Sequence, residues 1–171
     1  MSRKKRFYGL YRATVVNNLD PLLIGRIQVL APDVPSLVPT SWAMPSVPIA
    51  GKLMGTFVVP PVGAAVWVQF EQGDPDFPVW TGGFWAIAAE VPPLVRLGVP
   101  GDPSIVFTTT QQNSIAISDL PGPTGGITLQ SPSGATIIVN DTGIYIQNGK
   151  GASLVMVGPT VTINEGALVV I

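Results

Sequence analysis

Enzyme chemistry most often begins with histidine, cysteine or paired carboxylates, and this chain has neither His nor Cys in 171 residues. Disulfides, thiolate chemistry and Cys/His zinc sites are excluded, and so are the commonest nucleophile–base pairs. Ser–Lys and carboxylate chemistries remain formally open. From residue 105 onward the only acidic side chains are Asp119, Asp141 and Glu165, and the only cation is Lys150. A polysaccharide-cleaving site needs two carboxylates at a set separation. These three are far apart in sequence, in contexts where acidic residues usually serve local turn hydrogen bonds. A second chemistry is base stacking, for which Trp67, Phe70 and Phe84 are suitable types. Binding a polyanion also needs a basic groove. Between residues 7 and 100 the cations are only Arg12, Arg26, Lys52 and Arg96. Nucleic acid is therefore not an expected partner, no cofactor or metal is implied, and an enzyme is not expected.

The composition then sets the class. Charged residues make up 11% of the chain and hydrophobic residues 46%, with net charge −1. Gly, Pro, Asn, Asp or Gln interrupts every apolar run before it reaches the ~18–20 residues of a spanning helix. The start, MSRKKRF, is basic but is followed by no apolar stretch, so neither a signal peptide nor a transmembrane segment is expected. Apolar surface in such excess points to burial between chains. Arg3, Lys4, Lys5 and Arg6 hold four of the nine cations. Residues 1–6 are expected to be a flexible, solvated start, the alternative being an arm that docks on an acidic partner.

Residues 7–88 carry all four Trp. Alternating segments appear in YRATVVNN, in LLIGRIQVL, and at Thr56–Val59, Ala64–Glu71 and Phe77–Trp85. Turn chemistry separates them at Asn17-Asn18-Leu19-Asp20-Pro21, Pro60-Pro61-Val62-Gly63 and Gly73-Asp74-Pro75-Asp76. Five short strands without helical periodicity predict a small closed barrel, with Gly82-Gly83 at a corner or bulge. Residues 89–110, rich in Pro and Gly at first, are expected to be an extended linker and the start of a second element.

Residues 111–171 are a row of short strands. Their expected inward pairs are Ile115/Ile117, Ile127/Leu129, Ile137/Val139, Ile144/Ile146, Leu154/Met156, Val161/Ile163 and Leu168/Val170. Each repeat is one strand plus one turn, with one apolar stripe and no second layer to cover it. Burying such a side chain is worth roughly 1.5–3 kcal/mol, while ordering each residue's backbone costs roughly 1–2 kcal/mol. A half-exposed single chain loses that balance. A single-chain solenoid and a three-chain prism both fit. Repeats of seven to ten residues favour the prism, in which each chain supplies a strand to a face and passes on.

The pieces YRATVVNNLDPLLIGRIQVLAPDV, SWAMPSVPIAG and GTFVVPPVGAAVWVQFEQGDPDFPVWTGGFW, with the Gly-Asn-Asp-punctuated tail, resemble the central spikes of contractile injection machines. The relatives are phage baseplate assembly protein V, the T-even puncturing protein and the valine-glycine repeat proteins of type VI secretion. The resemblance implies an all-β chain: an oligonucleotide/oligosaccharide-binding (OB) barrel followed by an intertwined triple-stranded β-helix in a homotrimer. It implies a structural needle in a virion tail baseplate or equivalent particle, assembled in the bacterial cytoplasm. The needle sits under a separate hub protein and is pushed through the bacterial envelope. In that frame Trp67, Phe70, Trp80 and Trp85 pack the barrel or its interchain contacts, and Asp74-Pro75-Asp76 is a loop that could meet the hub. No lysozyme domain fits between barrel and needle, and an iron-holding His-x-His tip is ruled out. A tip protein of the proline-alanine-alanine-arginine repeat type is expected to seat on Ala167, Leu168, Val169, Val170 and Ile171, the alternative being a self-capped blunt end.

Overall fold

The computed structural model describes residues 5–34, 39–97 and 104–170. They fall into two compact units, Met1–Ala88 and Ala89–Ile171, and no helix among them is long and apolar enough to cross a membrane.

The first unit is built on β1 (Tyr11–Asn17), β2 (Gln28–Leu30), β3 (Met44–Pro45), a small hairpin of β4 (Ala50–Gly51) and β5 (Met54–Gly55), then β6 (Ala65–Phe70) and β7 (Pro78–Gly83). The main sheet runs β2-β1-β6-β7-β3. All its pairs are antiparallel except β3 with β7, which is parallel. An antiparallel bridge between Ile27 and Ala43 joins the β2 end of the sheet to the β3 end. Five strands thus close into a ring, which removes the free edges. Period-two alternation sends Ala13 and Val15 of β1 and Val66, Val68 and Phe70 of β6 inward, where they meet Ile27, Val29, Ala43 and Trp80. The Trp80 indole donates to the Gly25 carbonyl at 3.1 Å, satisfying its one polar atom inside the core. Register slips between Trp67 and Val68, where Gly82 and Trp80 face them across one extra residue. That is the bulge anticipated at Gly82-Gly83, and Gly82 has φ +146.

Asp20 holds the β1–β2 loop together. Its buried carboxylate accepts from the Leu22, Ile24 and Arg26 backbone N–H groups at 3.0–3.1 Å and from Arg26 Nε and Nη2 at 2.9 and 2.6 Å. The Arg26 guanidinium, helped by those N–H groups and opposed by burial, holds this carboxyl well below the usual carboxylate range.

Three expectations change here. Thr56–Val59 is not a strand; the nearby pairing is the β4–β5 hairpin, whose turn residue Leu53 sits at φ +59. The third barrel strand is instead Met44–Pro45, inside the Pro-rich segment holding Trp42. The 89–110 connection is not extended throughout: short 3-10 turns cover Ala88–Glu90 and Pro93–Leu97, where proline at a turn's start costs nothing because that N–H has no partner to lose. Residues 98–103 and 1–4 lie outside the described residues. Of the basic start, Arg6 is tied down: its guanidinium pairs with Asp74 at 3.2 Å, and the Phe7 N–H donates to the Gly73 carbonyl.

The second unit is one eight-stranded antiparallel meander: β8 (Ser104–Thr108), β9 (Ser114–Ser118), β10 (Gly126–Gln130), β11 (Ala135–Asn140), β12 (Gly143–Asn148), β13 (Ser153–Val157), β14 (Thr160–Ile163) and β15 (Leu168–Val170). Every strand pairs with its sequence neighbours. A single chain therefore keeps all its strands in one sheet, in place of handing one strand to a face and passing on. Hairpin turns of a few residues make neighbour pairing the shortest closure available.

Because Asp20 is ionised far into acid in the fold and not in the unfolded chain, its contribution to stability is complete above the ordinary carboxylate range and fades only as pH falls below it. Asp20→Asn removes the charge and orphans the Arg26 guanidinium. We expect a lower unfolding temperature for the barrel at pH 7 and a smaller difference between variant and wild type as pH drops below about 3, measured by calorimetry at a series of pH values. Equal unfolding temperatures at pH 7 would remove the role assigned to this pair.

Candidate assembly surfaces

Strand register builds the main surface. Ile105, Ile117, Ile127, Val139, Ile144, Met156, Val161 and Val170 are successive Cα partners across all eight strands. So are Phe107, Ile115, Leu129, Ile137, Ile146, Leu154, Ile163 and Leu168. Partners across a ladder, and residues two apart along a strand, share a face. One face of the sheet thus carries two unbroken rows, with an apolar residue at every level. The row between them on the opposite face begins Val106, Ala116, Thr128, Ile138 and Tyr145, so it mixes apolar with polar types. It is flanked by Ser, Thr, Asn and Gln positions such as Ser118, Asn140, Gln130 and Thr136. Leu94 from the Pro93–Leu97 turn lines a cleft with Val106, Ala116 and Ile138 on that second face.

The uniform face is the uncovered one. Ile115 and Ile127 are each 47% exposed, Phe107 67% and Leu168 54%. All fourteen residues expected to point inward take positions in the two rows. Ile105 and Phe107 extend the rows and were missed, although the alternation of SIVFT carries the same signal; the Pro/Gly context upstream concealed it. In the proposed tip platform, β15 is the last strand of the sheet, Leu168 is exposed, Ala167 precedes the strand, and Ile171 lies outside the described residues.

The carboxylates do not converge within the chain. Asp141 accepts from the Gly122 N–H through both oxygens, at 2.9 and 3.1 Å, in the local turn role expected of it. Glu165 sits in the β14–β15 turn at φ +55. Among the described residues no three His, Cys, Asp or Glu come together to hold a metal.

The barrel's aromatic residues divide. Phe70 and Trp80 belong to the core, so Phe70 is not available to stack a base. Trp67 and Phe84 lie on the outer side, 4.6 Å apart between ring centroids, with the Arg12 guanidinium 5.3 and 5.0 Å from their rings. Trp85 is exposed. Arg26 is engaged by Asp20 and sits over the Trp42 ring. Arg12 and Arg26 are thus each held locally, against rings or a carboxylate. Asp74, in the loop that could meet the hub, is occupied with Arg6 and with the Asp76 N–H.

Exposed apolar side chains gather elsewhere on the barrel. Leu19, Leu22, Leu23 and Ile24 project from the loop that Asp20 braces. Leu53, 99% exposed, stands at the tip of the β4–β5 hairpin. A 480 Å³ cleft between hairpin and barrel is lined by Ile24, Met44, Ile49, Phe57 and Trp80 among others.

A closed five-stranded barrel in OB order, followed by a meander with one wholly apolar face, defines a class of assembly component. Residues 11–85 match the family model described as the type VI secretion system/phage-baseplate injector OB domain. Residues 104–169 match the phage baseplate V C-terminal trimerisation domain. The chain belongs to the phage baseplate V family of type VI secretion and phage-baseplate injectors, whose members are structural parts, and it carries that family's trimerisation domain. No curated protein matches the sequence.

With Arg12 stacked on aromatics, Arg6 paired with Asp74 and Arg26 buried in an ion pair, the barrel should not be retained on immobilised single-stranded DNA at about 50 mM salt, where phosphate contacts are strongest. Retention that falls steeply with added salt would restore a nucleic-acid role.

Proposed function

We propose that three copies of residues 104–171 bring their apolar faces together around one axis and form the central spike of a contractile phage tail or related injection machine. The spike is mounted under a separate hub protein and pushed through the bacterial envelope when the sheath contracts. The observation that carries this reading is the pair of unbroken apolar rows. Covering a half-exposed Ile or Leu returns about half of the ~1.5–3 kcal/mol of full burial, and three copies repeat this at every level. In this arrangement the core residues are Ile115, Ile117, Ile127, Leu129, Ile137, Val139, Ile144, Ile146, Leu154, Met156, Val161, Ile163, Leu168 and Val170, extended by Ile105 and Phe107. Each face is one chain's meander, and the strands lie across the axis. Their hydrogen bonds then run along it, about 4.7–4.9 Å per strand and roughly 34 Å for eight strands. Axial load is met by these ladders and by the packed interior.

The role is mechanical and not enzymatic: the sheath supplies the work and the spike supplies stiffness. The polar positions beside the central outer row, and the scarcity of charge, suit a shaft that must be soluble yet not adhere to lipid headgroups. At the far end, Ala167–Ile171 of three chains form an apolar platform that we assign to a tip protein of the proline-alanine-alanine-arginine repeat type.

Two outcomes follow. Ile137→Asp places three carboxylates inside the needle and should abolish trimers in size-exclusion chromatography. Thr128→Asp on the other face should leave them intact. Loss of trimer in both variants, or in neither, would contradict the assigned face. Purified trimer should co-purify with the candidate tip protein, and deletion of residues 166–171 should remove that binding while keeping the trimer. Equal binding by both forms would end the docking assignment.

A further inference from the structure

The turns of the meander alternate between two lateral edges, and the charges divide between those edges. Asp119–Gly125, Asp141–Thr142 and Gly158–Pro159 connect strands on one edge. Thr109–Asn113, Ser131–Gly134, Gly149–Ala152 and Asn164–Ala167 connect them on the other. The first edge therefore carries Asp119 and Asp141, and the second carries Lys150 and Glu165. Lys150 is the only cation from residue 105 onward, and among the described residues it makes no ion pair. Its own chain offers nothing at the right place: Asp141 lies across the full width of β12, roughly 20 Å away at ~3.3 Å per residue.

We propose that Asp141 of each copy pairs with Lys150 of the next copy around the axis, so that three identical ion pairs close the three seams of the needle. The proposal rests on the reading of three sheets around one axis. In any such closed arrangement the first edge of one chain runs beside the second edge of its neighbour, because rotation about a threefold axis makes all contacts head-to-tail. Height selects the pair. The Asp141 turn lies between β11 and β12 and the Lys150 turn between β12 and β13, one strand spacing of ~4.8 Å apart. A lysine side chain spans that step. Asp119 is two strand spacings further from Lys150 than Asp141 is, and Glu165 is on Lys150's own edge.

The Asp141 carboxylate and the backbone that carries Lys150 are already held in place. The Asn148 side-chain oxygen accepts from the Lys150 N–H at 2.8 Å and the Ala152 N–H at 3.0 Å, which fixes the turn. Gly149 has φ +70, and a Cβ there would meet the Ser133 carbonyl, so the turn is packed tightly against the next one along the edge. Asp141 is oriented by the Gly122 N–H, and its exposed oxygens keep free lone pairs.

The pair answers a weakness of the apolar rows. With an apolar residue at every level, one chain could slide along its neighbours by a strand with little loss of burial. Sliding one chain by a strand levels the pair at one of its seams but moves the pair at the other to two strand spacings, so the charges penalise the slip, the best-attested use of isolated polar contacts in uniform apolar interfaces.

The test uses the full chain. Lys150→Glu and Asp141→Lys each set like charges across three seams. Each should speed trimer dissociation in urea by about tenfold, followed by exchange between differently labelled trimers. The combined Asp141→Lys/Lys150→Glu chain should return to near the wild-type rate, and 1 M NaCl should shrink the defect of each single variant. A double variant as fast as the product of the two singles overturns the pairing. Because the chain has no cysteine, Asp141→Cys/Lys150→Cys gives a second readout. A short bismaleimide should convert its trimers to covalent trimers, whereas Asp141→Cys/Glu165→Cys should stay uncoupled. Trimers in solution that never cross-link also overturn it. A wild-type chain that is not trimeric would instead remove the needle reading itself, and the two failures are thereby distinct.

Discussion

A β-sheet with one wholly apolar face needs a second layer, and the described residues of the second unit supply none over that face. Its eight strands are all spent on a single meander. Everything unusual in the composition follows from that constraint: 46% hydrophobic residues, 11% charged, and one cation in the last 67 positions of the chain from Ile105 to Ile171. In a monomer such a face would be an aggregation surface. In a trimer it becomes a core whose three walls are chemically identical, and closure about a threefold axis limits growth where an open stack would not.

The first unit solves the same problem internally. Its sheet closes on itself through the Ile27–Ala43 bridge around one interior of Ala, Val and Ile side chains with Phe7, Phe70 and Trp80. A loop as long as the β1–β2 connection would be a weak point of so small a barrel. Asp20 removes that weakness by gathering five donors onto one buried carboxylate. The same bracing presents Leu19, Leu22 and Leu23 outward at little further entropic cost, since their backbone is already ordered. The two units thus divide the work physically. The barrel closes around its own core and displays contacts, whereas the sheet of the second unit exposes one whole apolar face.

Much of this was legible in the sequence because period-two alternation survives in short strands. All fourteen residues expected on one face took positions in two continuous rows, and Gly82-Gly83 marked a bulge. Several things were not legible, for physical reasons. Met44–Pro45 forms a barrel strand in a Pro-rich stretch because its pairing with β7 comes from tertiary context, which overrides local propensity. Thr56–Val59 has strand-like residue types but no partner strand among the described residues. The SIVFT strand was hidden by the Pro/Gly segment before it. The pairing partners of the tail strands were also invisible, because periodicity gives the face a residue lies on and says nothing about which chain supplies the neighbour. The Arg6–Asp74 contact lies 68 positions apart in sequence, beyond any local signal.

The central claim is that residues 104–171 are stable only with two sister copies against their apolar face. Multi-angle light scattering on the intact protein, at concentrations from tens of micromolar down to tens of nanomolar, tests this most directly. The account predicts a mass three times 17.9 kDa across the series, with the strand signal in circular dichroism lost whenever the trimer is lost. A monomer of 17.9 kDa that keeps its full strand signal would contradict it.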